Sequence, residues 1–149
     1  MIEIEKPMIE CRQLSPDNRY AQIVVEPLQR GFGNTIGNSL RRILLSSLPG
    51  VAVTSVRIDG VLHEFSTIEG VSEDVTEIVL NIKGISAKLH SDTPVTASIR
   101  AKGPCEITAG SITGDFSLEI INTEHHIATL SEGASLNMDL VFAKGIGYV

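Results

Sequence analysis

Residues 25–65 read VEPLQRGFGNTIGNSLRRILLSSLPGVAVTSVRIDGVLHEF. A strand-like run meets a glycine turn, then a helical pattern, then a proline stop, then a second strand. The spacing predicts a helix from Thr35 to Leu48, with Asn34 as its N-cap. Pro49-Gly50 ends it, because a proline disfavours helix in the residue before it. At 100° per residue Ile36, Leu40, Ile43, Leu44 and Ser47 share one side. Asn38, Arg41, Arg42 and Leu45 share the other. Gly37 sits inside this helix, where glycine costs about 1 kcal/mol relative to alanine. Either the cost is simply tolerated or another element approaches the backbone there.

Outward from this stretch, residues 8–15 and 19–28 read as two strands joined by the turn tetrad Ser15-Pro16-Asp17-Asn18. The run from Tyr20 to Val25 is apolar enough to be expected largely buried. Residues 51–58 form a strand closed by Asp59-Gly60, and residues 61–65 a short strand. Ser72-Glu73-Asp74 opens a second helix, with acids where the helix dipole favours them. Val71, Val75, Ile78, Val79 and Ile82 follow helical spacing, and Lys83-Gly84 ends the helix. Beyond Ile85 short segments alternate with turns, at 85–90, 94–101, 104–109, 116–121, 125–130 and 135–142. That rhythm predicts antiparallel sheet or a small barrel. The fold class is therefore α+β, mostly antiparallel β with two main helices. The chain stops at GIGYV just after a strand, an abrupt place for a domain to end.

Bulk composition narrows the function classes. Hydrophobic residues make up 42% of the 149 and aromatics only 4%, so Val, Ile and Leu must fill the core. The net charge of −6 argues against a chain that binds DNA or RNA through its own surface. Cys11 and Cys105 have no paired spacing and read as two reduced thiols. No apolar run reaches the roughly 18–20 residues needed to span a bilayer, and MIEIEKPMIE has no signal core. The expected location is the cytoplasm.

Candidate chemistry is thin. Gly31, Gly33 and Gly37 follow a strand and open a helix, which invites a nucleotide-binding enzyme as the alternative function. The dinucleotide fingerprint needs its third glycine three residues after the second, and here the gap is four. A glycine-dependent turn and helix entry accounts for the residues better. His63-Glu64 lacks the second histidine of a zinc-protease helix. His125 and His126 are adjacent and on a strand point to opposite faces, so they cannot chelate together. Glu73-Asp74 reads as a helix start. No catalytic residue, metal site or cofactor is expected. Arg41 and Arg42, with Leu45 beside them, fit two solvated charges and a stray leucine. They fit a docking patch equally well, since arginine makes forked hydrogen bonds and leucine fills a pocket.

The phrases VEPLQRGFGNTIGNSLRRILLSSLPG (25–50) and VTSVRIDGVLHEFSTIEGVSEDVTEIVLNIKG (53–84), and more weakly LNMDLVFAKGIGYV (136–149), resemble the N-terminal domain of bacterial RNA polymerase alpha subunits. The resemblance covers essentially the whole chain. It implies a dimerisation part at residues 1–50, incomplete here, and an inserted β-rich part at 51–149. It implies a second alpha subunit and the beta and beta-prime subunits as partners, with the dimer serving as their assembly scaffold. No direct contact with nucleic acid and no membrane are implied. Carried over, Ile36, Leu40, Ile43 and Leu44 become dimer-interface residues. Asn38, Arg41, Arg42 and Leu45 become large-subunit contacts, joined by His63 and Glu64 from LHEFSTIEGVS (62–72). The parent enzyme is a nucleotidyltransferase, and this chain would be a non-catalytic, truncated part of it, without the returning segment, linker and DNA-binding domain of the family. Ile146 stands where the family shows arginine (GRGY against GIGY).

Overall fold

The computed structural model describes residues 5–147. It has two compact units, divided between Ser47 and Leu48.

The first unit is a hairpin followed by a helix. Strands β1 (Met8–Leu14) and β2 (Ala21–Glu26) pair antiparallel, with an irregularity between Cys11 and Gln13. The turn between them is the one the tetrad predicts. Ser15 Oγ accepts the N–H groups of Arg19 and Tyr20, and Asn18 takes a left-handed φ of 57°. Helix α1 runs Phe32–Ser46. It starts three residues before the expected Thr35, and its N-cap is Gly31, not Asn34. Gly31 has φ of 89°, a region where a Cβ is strained. That sharp turn lets the helix begin at once, with the Phe32 N–H donating to Gln29 O (3.1 Å). Phe32 lies one turn before Ile36, so the early start adds a ring to the apolar stripe. The helix ends at Ser46, two residues short of Leu48, because Pro49 forces extended backbone just after it.

No residue of α1 is buried. The run from Tyr20 to Val25, expected largely buried, is exposed at Tyr20 and Ile23 and half-buried at Val24 and Val25. No described residue of the hairpin or α1 is buried. A hairpin and one helix offer too little surface to enclose a core.

The second unit is β-rich with one helix. Strand β3 (Pro49–Ile58) is followed by a loop, helix α2 (Val75–Lys83), then β4 (Ala87–Leu89), β5 (Val95–Lys102), β6 (Cys105–Thr108), β7 (Leu118–Ile120), β8 (His126–Leu130) and β9 (Ser135–Ile146). Strands β4, β6, β7 and β8 fall inside the segments the sequence rhythm predicts, whereas β3 starts before residue 51, at Pro49, β5 runs on to Lys102 and β9 to Ile146. All pairings are antiparallel: β3-β9-β5 in a three-stranded sheet, with β4-β7 and β6-β8 as ladders. The described residues thus form an α+β fold. Central β9 alternates strictly. Leu136, Met138, Leu140 and Phe142 point into the core, where they meet Ile58, Ile99, Ile107 and Ile127. Each such side chain contributes about 1.5–3 kcal/mol by leaving water.

Helix α2 covers this core with Val75, Ile78 and Ile82. Its start is a full capping box. Asp74 Oδ1 accepts the Glu77 N–H (2.8 Å), and Glu77 Oε2 accepts the Asp74 N–H (3.2 Å). Residues 61–65 are not a strand. They form an irregular loop with a turn at His63–Ser66 (3.3 Å), and the Glu64 carbonyl is satisfied by the Thr76 hydroxyl (2.8 Å) rather than by a neighbouring strand.

Candidate assembly surface

Helix α1 carries the residues singled out from its sequence, and it keeps the two sides apart. Phe32, Leu40, Ile43 and Leu44 are half or more exposed, and Ile36 is half-buried. They form one apolar stripe, no residue of which is buried. Asn38, Arg41, Arg42 and Leu45 lie on the opposite side, all exposed. Among the described residues neither Arg41 nor Arg42 forms an ion pair or a side-chain hydrogen bond. Their only nearby bond is the Ser46 hydroxyl donating to the Arg42 backbone carbonyl (2.6 Å). Both guanidinium groups keep their five donors available.

Gly33 and Gly37 lie within α1 itself, and only Gly31 precedes it. A Cβ at Gly33 or Gly37 would meet nothing within 4 Å. Among the described residues no element makes the close approach that would explain Gly37.

His63 and Glu64 belong to the second unit. They sit on the loop after β3, both exposed. The loop also lifts two large apolar side chains into solvent, Leu62 at 98% exposure and Phe65 at 80%. The rings of His63 and Phe65 lie 6.4 Å apart, tilted, and His63 Nδ1 is 3.3 Å from Ser66 Oγ. A groove of about 310 Å³ lies beside this loop, lined by Val56, Val61, Leu62, His63, Val75 and Val79. Two bonds hang the loop on α2: the Val75 N–H donates to Ser66 O (3.1 Å), and the Thr76 hydroxyl to Glu64 O. Apolar side chains held out on a tethered loop are suited to insertion into another protein's pocket.

The structure also assembles a cluster that sequence reasoning missed. His126 contacts both Glu73 and Glu106 through its two ring nitrogens (2.7 and 2.8 Å). Of the pair Glu73-Asp74, only Asp74 caps the helix. Glu73 turns to β8, where it accepts the Thr129 N–H (2.7 Å). The partners lie 53 and 20 positions from His126, so no local spacing announces them. Burial tends to raise the Glu73 pKa. The Thr129 N–H and then the His126 ring outweigh it and hold the carboxyl below its ordinary 4.5. The Glu73 and Glu106 carboxylates raise His126 above 6.5, against a smaller effect of burial.

In helix α1 the side chains therefore separate an apolar side from a cationic side. Residues 56–149 match the family described as RNA polymerase Rpb3/RpoA insert domain. The chain is 59% identical over 148 residues to the DNA-directed RNA polymerase subunit alpha of Alkaliphilus oremlandii, covering 99% of this chain and 47% of that one. It is 58% identical over 149 residues to the subunit of the same name from Symbiobacterium thermophilum, covering all of this chain and 47% of that one. For Clostridium botulinum the identity is 56%, with the same coverage. The chain spans about half the length of the curated relatives it matches. The match over residues 56–149 places the chain in the RNA polymerase Rpb3/RpoA insert-domain family.

Proposed function

We propose that this chain acts in transcription as a non-catalytic assembly scaffold of bacterial DNA-directed RNA polymerase, in the cytoplasm. Residues 1–50 form the dimerisation part and residues 51–149 the inserted β-rich part. The apolar stripe of Ile36, Leu40, Ile43 and Leu44 pairs with a second alpha subunit. Asn38, Arg41, Arg42 and Leu45, with His63 and Glu64, contact the beta and beta-prime subunits. The chain supplies no group to nucleotidyl transfer and no contact to nucleic acid. Its role is to hold the large subunits in register.

One observation carries this reading: α1 has an apolar stripe and two arginines without side-chain partners among the described residues, yet buries no residue in its own unit. A helix of that kind is stable only when something covers its apolar side. The relatives' name, a subunit of a polymerase, supports the same conclusion.

The test is capture of the beta subunit by the Arg41→Ala/Arg42→Ala double variant. Loss of an anchor costs about 2 kcal/mol or more, roughly a thirtyfold drop in affinity. The variant's unfolding midpoint in urea is expected to match that of the wild type, since both side chains are exposed. Undiminished capture overturns the reading.

A further inference from the structure

Three residues distant in the chain meet ahead of α2. His126, the first residue of β8, places Nε2 2.7 Å from Glu73 Oε1 and Nδ1 2.8 Å from Glu106 Oε1. Carboxylates only accept hydrogen bonds, and a neutral imidazole has a single N–H. Two such bonds therefore require the imidazolium. Glu73 is itself pinned: its Oε2 accepts the Thr129 N–H (2.7 Å) and its Oε1 the Thr129 hydroxyl (3.2 Å). The Glu73 side chain is 16% exposed and that of His126 40%, so the pair sits where charge is only partly screened. The charged groups facing the ring are Glu73, from the segment ahead of α2, and Glu106, from β6. The β-strand neighbours Thr108 and Thr129 are neutral.

The cluster also has mechanical reach. Glu73 directly precedes the N-cap Asp74, and the first turn of α2 carries the 63–66 loop through Val75 and Thr76. Whatever holds Glu73 holds the loop.

We propose that Glu73, His126 and Glu106 form a proton-dependent clasp that fastens the start of α2, and the 63–66 loop hung on it, to the β6–β8 hairpin. The clasp is closed while the ring carries both protons. When one proton leaves, a bare ring nitrogen faces a carboxylate and one of the two bonds is lost.

The direction with pH follows from the two shifts. His126 is raised above 6.5 in the folded chain, so its contribution is fully present below pH 6.5 and is lost as pH rises through the folded value. Glu73 is lowered below 4.5, so its contribution is present above pH 4.5 and is lost as pH falls through the folded value. The clasp is closed between these limits, opening on the alkaline side as His126 loses its proton and on the acid side as Glu73 gains one.

Amide hydrogen exchange of the full chain across pH tests this, with rates corrected for the intrinsic effect of pH and the His126 ring titration followed by NMR. The expected result is that protection at Val75 and Thr129 falls roughly tenfold as His126 loses its proton, the effect of losing one charge-assisted hydrogen bond. Protection along β9 is expected to hold steady. In His126→Gln the step at Val75 and Thr129 is expected to vanish. Flat protection through the wild-type ring titration overturns the proposal, as does a ring that titrates at or below pH 6.5. Both of those readings come from the wild type and need no variant to fold.

Discussion

His125 Nε2 lies 2.7 Å from the carbonyl oxygen of Asn81, at the C-terminal end of α2. The next residue, His126, is clasped to Glu73 ahead of the N-terminal end. Adjacent histidines thus engage opposite ends of the same helix. Each takes a different partner, His125 from just before β8 and His126 from its first residue. Asn81 adds a third tie, its Nδ2 donating to Ile127 O (2.9 Å). This cross-bracing explains why a helix of nine residues, too short to persist alone, is well defined here.

The His125 contact depends on Gly84. A Cβ there would lie 2.6 Å from His125 Nε2, so Gly84→Ala must displace the ring and break its bond to Asn81. The expected cost is about 1 kcal/mol, read as a lower urea midpoint at unchanged slope. In a His125→Ala background the same substitution is expected to cost much less, because no ring remains to displace. Equal costs in both backgrounds contradict this account.

Ile78 is fully buried beneath α2, whereas Leu80, on the same helix, is mostly exposed. Ile78→Ala is expected to destabilise by about 2–5 kcal/mol through lost burial and a residual cavity. Leu80→Ala is expected to stay within about 0.5 kcal/mol of the wild type. Thermal or urea unfolding of the two variants measures the difference.

Asp74→Ala removes the capping side chain and strands the Glu77 N–H. The expected loss is about 1 kcal/mol. Asp74→Asn restores an acceptor and is expected to recover most of it, which a simple loss of charge would not allow.

The stripe on α1 predicts association. Sedimentation of the wild type across a concentration series is expected to show self-association, and Leu44→Glu is expected to shift the chain toward monomer. The core of the second unit does not include Leu44, so amide protection there is expected to be unchanged. A wild type that stays monomeric at high concentration removes dimerisation by α1 from the proposed function.

Much of this architecture was legible in one dimension because its causes are local. The Ser15–Asn18 turn, the Asp74 cap three residues before Glu77 and the helical spacing of Val75, Ile78 and Ile82 each operate within a few residues. The two sides of α1 follow from 3.6 residues per turn alone. Where local signals were read too simply, the structure differs. Gly31 starts α1 before Asn34 can cap it, and residues 61–65 form a loop whose backbone bonds are local turns and one contact from Thr76 of α2 to Glu64 O.

Local order alone determined most of the elements, their sequence along the chain and the division of α1 into an apolar and a cationic side, since periodicity and capping act over one or two turns. Only the tertiary structure decided which residues α2 rests on, that Glu73, ahead of α2, meets His126, and that Leu62 and Phe65 stand in solvent. Those outcomes depend on chain segments up to 56 positions apart, brought together by a shared core that no short stretch of sequence contains.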